Sequence, residues 1–405
     1  MSLARVEMEQ PAVQGGDSPA ASARHVRVLR TQSEIEAIRP VWEAWPGHRD
    51  SDIDVYLSLF KCDPDLVAPH VAVVYEGDRP DAILVGSLSK TRLPLRVGYL
   101  RVLEPAIRAL NLHYGGQRGS DSEENSQLLV GSVLDTLRRN EADVAVFQAV
   151  REDSSLYRAA SQLPGILSRD HCLVVKPHRN LRVPDSVSAF HKLRPRARGD
   201  RNRYGNRLKA DFGSEARIDT FTRVDQLDRL VQDVEQIARS TYQRGLGVGF
   251  SDTPRVRQLL ADAAEKGWLR GYVMYVADIP CAFLIGSLYQ NRMYLDFVGY
   301  DSKYSRCSPG QLLLIRKIED FCTEKIEEVN FGIGDAWYKE YFSNETWQEG
   351  PVHIFRSSLR GSLLNAGRTI TTVTDKTFKH LLQKAGLLAN LKKAWRRHAA
   401  EGAAQ

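Results

Sequence analysis

Residues 73–88 read VVYEGDRPDAILVGSL, and residues 273–288 read VMYVADIPCAFLIGSL. The two stretches share nine of their sixteen positions, including Asp78 with Asp278 and the closing Gly-Ser-Leu. In each stretch, two apolar runs flank a short Asp-x-Pro turn, which is typical of a β-hairpin. A match in both apolar pattern and turn chemistry indicates that the chain contains a duplicated fold.

The repeat continues on both sides of the hairpins. Downstream, Gln127 and Gln311 each begin a helical pattern that leads into a buried strand. Upstream, residues 26–42 and 217–238 each combine a short strand with an amphipathic helix. The repeated unit belongs to the mixed α/β class (α+β), and we predict two tandem units, each a mixed sheet flanked by helices.

The length of 405 residues fits this arrangement. The first residues are rich in Ala, Ser, Gly, Gln and Pro, whereas the last are rich in Lys, Arg and Leu. We predict a disordered lead at 1–24, a first unit at 25–183, a second unit at 184–357 and a basic helical tail at 358–405.

Composition limits the class of protein and the kind of partner. A hydrophobic content of 42% with 26% charged residues is that of a globular protein. The net charge of +6 favours anionic partners. The five cysteines form no C-x-x-C pair, so we expect neither a zinc site nor a disulfide framework. Without a signal sequence or transmembrane stretch, we expect a cytoplasmic protein, at most peripheral on the inner face of the membrane.

Two basic segments each allow two interpretations. Residues 191–209 contain eight Lys or Arg and one acidic residue, Asp200, so they form either a solvated, partly helical connector or a surface for an anionic ligand. In the tail, basic residues alternate with leucines. That pattern suits either an anionic membrane surface or a terminal helix packed on the domain.

Residues 304–311, YSRCSPGQ, form a candidate phosphate site between a predicted strand and a predicted helix. Backbone N–H groups and the helix dipole favour anions there, and Gly310 lets the backbone approach a ligand. Arg306 adds a positive charge and Ser308 a hydroxyl donor. The same residues also suit an ordinary helix start. The first copy carries Glu124 and no glycine at the matching place, so only the second copy keeps an anion-compatible start.

The segments MYLDFVGYD, YSRCSPGQLLL and VNFGIGDAWYKEYF, in this order, resemble the CelD-like and FemAB-like branch of GNAT-fold transferases, which carry tandem GNAT units. The resemblance implies a degenerate first unit and a second unit that transfers an acyl group directly from acetyl-CoA or a longer acyl-CoA to an amine or hydroxyl, without a metal. It suggests an acceptor in bacterial envelope, exopolysaccharide or lipid metabolism, with cellulose biosynthesis as one case.

The resemblance also implies roles for individual residues. In GNAT proteins the strand before the phosphate loop bonds the pantetheine arm, and residues 293–300 would do so here. Tyr338 is the implied acid toward the CoA sulfur, with a core aromatic as the alternative. The implied cofactor-binding residues are Phe297, Val298, Gly299, Arg306, Ser308, Pro309, Gly310 and Gln311.

Asp296 is the second catalytic candidate. Strand alternation places it on one face with Tyr294 and Tyr300, and places Leu295 and Phe297 on the other. A carboxylate within an apolar strand needs a partner. We therefore predict either a base or acceptor-binding group, or a structural residue paired with an arginine.

Predicted acceptor contacts follow the long helix of the second unit and surround the cofactor loop. They are Tyr242, Arg244, Tyr300, Asp335 and Lys339. Asp335 has the alternative role of a helix N-cap. The expected partner is a small-molecule, saccharide or lipid acceptor, with peripheral contact with an anionic membrane as a further option.

Two other functions stay open. A FemAB-like aminoacyl transfer from charged tRNA would use residues 191–209 as the RNA-facing surface, and only in this case do we expect a nucleic acid to bind. A non-catalytic partner of a polysaccharide or membrane assembly would use the GNAT fold for binding alone.

Overall fold

A computed structural model describes residues 24–98, 100–241 and 249–384. The strands are β1 (Arg24–Leu29), β2 (Leu66–Glu76), β3 (Arg79–Arg92), β4 (Leu95–Val97), β5 (Leu100–Leu103), β6 (Ala106–Gly119), β7 (Val144–Arg151), β8 (Lys176–Arg182), β9 (Arg217–Phe221), β10 (Leu269–Val276), β11 (Ile279–Tyr289), β12 (Arg292–Tyr300), β13 (Glu328–Ile333) and β14 (Glu345–Phe355). The helices are α1 (Gln32–Ala37), α2 (Arg39–Ala44), α3 (Ile53–Cys62), α4 (Glu123–Arg138), α5 (Ser155–Gln162), α6 (Val187–Leu193), α7 (Pro195–Phe212), α8 (Leu227–Ala238), α9 (Pro254–Glu265), α10 (Pro309–Glu324), α11 (Trp337–Phe342) and α12 (Leu359–Lys384). Short 3-10 helices lie at Arg49–Ser51, Val224–Gln226 and Ser302–Cys307.

Twelve strands form one sheet in the order β1-β2-β3-β6-β7-β14-β8-β13-β12-β11-β10-β9. The five strands from one edge, β1-β2-β3-β6-β7, correspond one by one to the five from the other edge, β9-β10-β11-β12-β13. We call these two sets, with their helices, the first half and the second half. Each half contains one parallel pair, β6 with β7 and β12 with β13, among antiparallel neighbours. Helices pack on both faces, with separate cores under α10 and α8 in the second half. The predicted mixed α/β fold class with two tandem units is confirmed.

The two halves exchange their last strands at the centre of the sheet. Strand β8, which follows the first half in the chain, pairs with β13 and β14. Strand β14, which follows the second half, pairs with β7 and β8. The unit boundaries drawn from the sequence stay predictions, and the exchange makes each half part of the other's sheet.

The repeated stretches form the hairpins β2–β3 and β10–β11, as predicted. The turns are shorter than the predicted Asp-x-Pro turns and end at Asp78 and Asp278. The next residue of each, Arg79 or Ile279, already pairs with the preceding strand. Pro80 and Pro280 lie within the second strand of each hairpin, opposite a tyrosine and next to a register shift. A bulge tolerates proline in a ladder because the missing N–H is not needed there.

Both basic segments are helical where they are described. Residues 195–212 form α7, which buries Tyr204 and Leu208 and leaves most of its arginines toward solvent. Helix α12 packs on the first half, where the Asn365 amide donates to the carbonyl of Arg169 (2.8 Å). Within the described residues, no helix is long and apolar enough to cross a bilayer.

Candidate active site

Strands β12 and β13, the two strands of the second half nearest the centre of the sheet, separate along their length. Their parallel ladder ends at Tyr294 with Asn330, whereas β12 continues beside β11 to Tyr300. The β12 edge beyond Tyr294 therefore has backbone groups that face a gap rather than a strand. This is the place where the resemblance puts the pantetheine arm.

A bulge in β12 changes which residues share a face. The register against β11 shifts so that Asp296 is an extra residue between the pairs made by Leu295 and Phe297. Phe297 packs into the core under α8, whereas Leu295 and Val298 pack into the core under α10. The prediction that Leu295 and Phe297 share a face is wrong, because one inserted residue reverses the alternation.

One predicted cofactor residue has a packing explanation. A Cβ on Gly299 would lie 2.6 Å from the ring of Phe283, so the core requires a glycine there. Tyr300, the next residue, is exposed and its ring lies beside Gly310 at the start of α10. The end of β12 and the start of α10 therefore border the same gap.

No side chain caps the start of α10. Ser308 is the N-cap in a left-handed conformation (φ 46°), its side chain makes no capping hydrogen bond, and Pro309 occupies the first turn. The Ser308 carbonyl accepts hydrogen bonds from the N–H groups of Gln311 and Leu312, both at 3.1 Å. Backbone donors at such an end favour an anion, because the helix dipole adds to them.

The equivalent helix of the first half, α4, is capped by a side chain. The hydroxyl of Ser122 caps α4 by accepting from the N–H of Asn125 (3.1 Å). The Asn125 amide in turn donates to Asp81 (2.8 Å), and Arg24 pairs with Glu124 at 3.0 Å. The start of α4 is therefore capped and the start of α10 is not, as Glu124 in the first copy and Gly310 in the second suggested.

The loop before α10 is anchored by its neighbours. Tyr304 and Cys307 are buried, whereas the Arg306 side chain is exposed. The carbonyl of Arg306 accepts from the guanidinium of Arg207 on α7 (2.7 Å). The basic helix α7 therefore lies directly beside the candidate phosphate site.

Helix α11 begins one residue later than an N-cap at Asp335 requires. Its N-cap is Ala336, so the N-cap role predicted for Asp335 is wrong and that carboxylate is exposed. Tyr338 is partly buried, with its ring 6.3 Å from that of Phe331 on β13. The ammonium of Lys339 donates to the carbonyl of Ile333 (2.9 Å), and burial lowers the pKa of Lys339. Tyr338 and Lys339 thus both lie at the end of β13.

Asp296 is paired with an arginine from the first half. One guanidinium nitrogen of Arg49 donates to Asp296 Oδ2 at 2.7 Å, and a second contacts Oδ1. Arg49 also donates to the hydroxyl of Ser287 (2.8 Å) and lies over the ring of Tyr294. Of the two predicted roles for Asp296, these contacts match the Arg-paired one, because both carboxylate oxygens are occupied.

A cavity of about 910 Å³ lies where the two halves meet. Both halves contribute to its wall. Tyr294 and Asn330, the last ladder pair of β12 and β13, are among the lining residues. The wall also includes His48, Tyr114, Arg151, Asn180, Arg182, Arg292, Glu328, Glu345 and Trp347.

A buried polar network borders this cavity. Nδ1 of His178 and Oε1 of Glu349 are 2.8 Å apart, and the Tyr114 hydroxyl donates to Glu349 at 3.1 Å. Trp347 donates to the other carboxylate oxygen of Glu349 (2.8 Å) and stacks on His178. Burial alone would raise the pKa of Glu349, but the hydrogen bonds led by His178 lower it. Burial and this carboxylate raise the pKa of Tyr114, so its hydroxyl stays protonated.

His48 lies on the opposite side of Tyr114, with ring centroids 4.3 Å apart. Gly115 permits this approach, since it has a φ of +59° and a Cβ there would lie 2.2 Å from that of His48. Arg118 holds the segment by donating to the His48 carbonyl (2.9 Å). Burial lowers the pKa of His48 to about 3, and Nδ1 accepts from the N–H of Asp50. We assign the neutral tautomer that carries its proton on Nε2.

Sequence reasoning missed the cavity residues. Tyr114, His178 and Glu349 come from three strands, and the closest two are 64 residues apart in the chain. The Gly115-Gly116 pair, which interrupts the apolar alternation of β6, is the one local signal of an irregular strand. Tyr242 and Arg244, predicted to contact the acceptor, lie outside the described residues.

Comparisons with known proteins bear on the domain type and on the fold. Residues 195–340 match the family model described as acetyltransferase (GNAT) domain. The chain is similar to the solved structure of FemX, with 8% identity and a TM-score of 0.53 over 81% of this chain and 97% of FemX. It is also similar to the C-terminal domain of a putative lysylphosphatidylglycerol synthetase from Agrobacterium fabrum, with 12% identity and a TM-score of 0.48 over 84% of this chain and 96% of that domain. No curated protein matches significantly.

The chain is therefore an acyltransferase enzyme with a GNAT acetyltransferase domain in its second half. The likeness to FemX supports the fold alone. The FemAB-like and CelD-like parts of the resemblance both stay predictions. Among the described residues, no three His, Cys, Asp or Glu side chains are grouped to hold a metal ion.

Proposed function

We propose that this enzyme transfers an acyl group directly from acyl-CoA to the amine or hydroxyl of an acceptor held between the two halves. One observation carries the proposal: Tyr294 and Asn330, where β12 and β13 separate, line the central cavity. A thioester that enters the gap from α10 would therefore reach the cavity. The matched GNAT region contains β12, α10 and β13.

In this proposal the start of α10 holds the CoA diphosphate. The backbone N–H of Gly310 and the helix dipole attract the phosphate there, because Pro309 has no N–H and those of Gln311 and Leu312 already donate to the Ser308 carbonyl. The exposed Arg306 supplies a positive charge. Tyr300, Ile333 and Trp337 are exposed at the open end of the gap, at 43%, 39% and 56%. Such apolar side chains suit the pantetheine arm. Acetyl-CoA and longer acyl-CoA both fit this arrangement.

The cavity wall suits a saccharide acceptor better than a purely apolar one. Three cationic side chains lie there beside carboxylates, as in the pairs Arg182–Glu345 (2.9 Å) and Arg292–Glu328 (3.3 Å). Paired charges, amides and aromatic rings together offer both donors and acceptors to a ligand rich in hydroxyls. Exopolysaccharide or envelope precursors, including those of cellulose, have this chemistry.

The transfer requires two proton movements. The attacking nitrogen or oxygen bonds to the thioester carbon, the C–S bond breaks, and the sulfur leaves as a thiolate that takes up a proton. The attacking group loses its proton to the oxygen of the Tyr114 hydroxyl, by our assignment. Tyr114 at the same time passes its own hydroxyl proton to the His178–Glu349 pair. Tyr338 stays the predicted donor to the sulfur. His48 Nε2–H is placed to orient the acceptor.

Calorimetric titration with CoA and acetyl-CoA tests the cofactor site. Gly310→Glu should abolish binding, because a carboxylate would occupy the phosphate position. Gly131→Glu is the matched control, since Gly131 lies in α4 with open space around it. Release of free CoA in the presence of saccharides then tests the acceptor. A wild-type protein that binds no CoA, or Gly310→Glu with unchanged affinity, contradicts the proposal.

The second candidate is aminoacyl transfer from charged tRNA. The observation that favours it is the basic helix α7, which exposes Arg196, Arg198 and Arg203 and donates through Arg207 to the carbonyl of Arg306. Binding of tRNA that falls steeply with salt, together with loss of that binding in Arg196→Gln/Arg203→Gln, would support it. The same titrations would then show no CoA binding.

A further inference from the structure

We infer that the first half carries a docking face for an anionic lipid membrane, built around α12. The inference does not rest on acyl transfer. Helix α12 packs inward through Leu364 and Asn365, which are buried. Residues at steps of four, seven and three form a single stripe on the outward side of the helix. They are Leu359, Leu363, Ile370 and Val373, with exposures of 81%, 65%, 65% and 50%.

The β4–β5 hairpin beside α12 carries a second group of exposed apolar side chains. It is attached to the helix by the N–H of Gly98, which donates to Asp375 at 2.8 Å. The side chains of Leu100, Val102 and Leu103 are 75%, 62% and 59% exposed. Three apolar side chains at the end of a small ladder, all toward solvent, are unusual for a surface that only contacts water.

The loop after α5 carries a third group of exposed apolar side chains. The Asn365 amide donates to the carbonyl of Leu167 (3.1 Å), which joins this loop to α12. Ile166 and Leu167 are each 70% exposed. We use the name docking face for the exposed apolar side chains of α12, of the β4–β5 hairpin and of residues 166–167.

A basic cleft of about 710 Å³ adjoins the docking face. Arg360 belongs to the first turn of α12 and Arg101 to β5, so the cleft and the docking face share two elements. Its five cationic side chains exceed its three carboxylates. The cationic ones are Lys90, Arg92, Arg101, Arg108 and Arg360.

This combination fits a bilayer with anionic headgroups. Apolar side chains enter the boundary between headgroups and acyl chains, while adjacent Lys and Arg attract the negative surface. A second copy of the chain is a poorer occupant, because two docking faces in contact would bring two basic clefts together. The lipid phosphate supplies the charge that the cleft lacks.

Co-sedimentation with vesicles tests the inference on the full chain. Wild type should bind vesicles that contain phosphatidylglycerol and bind pure phosphatidylcholine weakly. Leu363→Glu/Ile370→Glu should lower the partition coefficient at least about tenfold, because two apolar contacts become charges. Val224→Glu/Leu259→Glu is the matched control, since both residues are exposed (47% and 57%) but lie on the second half.

A cleft variant separates the two parts of the surface. Arg92→Gln/Arg101→Gln should weaken binding to anionic vesicles while leaving the residual binding to neutral vesicles unchanged. Circular dichroism checks that each variant is folded. The inference is overturned if wild type ignores anionic vesicles, or if Leu363→Glu/Ile370→Glu binds them as well as wild type does. It is also overturned if light scattering shows a wild-type dimer that this variant converts to monomer.

Discussion

Arg49→Met removes the guanidinium that joins the first half to the bulge of β12. The substitution keeps an unbranched apolar stem, so the main loss is the charge and its hydrogen bonds. Arg49 and Asp296 are 18% and 27% exposed, and Arg49 also donates to Ser287. After the change, the Asp296 carboxylate is left without its cation in a largely buried position.

The magnitude follows from this burial. An exposed ion pair stabilises a protein by about 0–1 kcal/mol, whereas breaking a fully buried pair costs about 3–5 kcal/mol. The Arg49–Asp296 pair lies between these limits, so we expect a loss of about 2–3 kcal/mol in the free energy of unfolding. Arg223→Met is the control, because Arg223 and Asp225 form a pair that is 66% and 65% exposed. It should cost less than about 1 kcal/mol.

Urea unfolding followed by tryptophan fluorescence measures both variants. Asp296→Asn and the double variant Arg49→Met/Asp296→Asn complete a cycle, in which the double variant should lose about 1–2 kcal/mol less than the sum of the single ones. If Arg49→Met costs no more than Arg223→Met, the pair does not stabilise the contact between the halves, and the reasoning fails.

Three further outcomes are expected. Tyr114→Phe should lower turnover by about 10²-fold or more with unchanged affinity for CoA, because its hydroxyl lies in the acceptor cavity; equal turnover would remove it from the reaction. Gly286→Ala should cost about 1–3 kcal/mol of stability, since its Cβ would lie 2.0 Å from the carbonyl oxygen of Tyr294, and an unchanged urea midpoint would contradict this. Burial lowers the pKa values of His48 and His70 to about 3 from 6.5, so the unfolded chain binds more protons between these values and stability should fall as the pH falls through this window. Urea midpoints at about pH 8 and pH 5.5 measure this fall, which His70→Asn should reduce.

The features that were predicted correctly are local in the chain. The two hairpins follow from apolar runs around a turn, and α10 follows from Pro309 and the periodic leucines after it. The difference between the two helix starts was also visible, because the first copy has Glu124, Asn125 and Ser126 where the second has Ser308, Pro309 and Gly310. The hairpins and α10 each follow from fewer than about 20 neighbouring residues, and the comparison of the two helix starts sets one such short stretch beside another.

The errors are also local, but they involve irregular backbone. A single inserted residue at Asp296 turned Phe297 to the opposite face, and a shift of one residue in the start of α11 removed Asp335 from the N-cap position. Neither a bulge nor an exact helix boundary changes the apolar period enough to be read from one sequence.

The sequence by itself determined the duplicated mixed α/β fold, the asymmetry of the two helix starts and the place where acyl-CoA is proposed to bind. Only the tertiary structure decided which residues surround the acceptor cavity. Strands β8 and β14 exchange between the halves, and this exchange places Tyr114 beside His178 and Glu349, residues separated by up to 235 positions. Local propensity specifies strands, whereas the burial of the joined sheet selects which strands become neighbours.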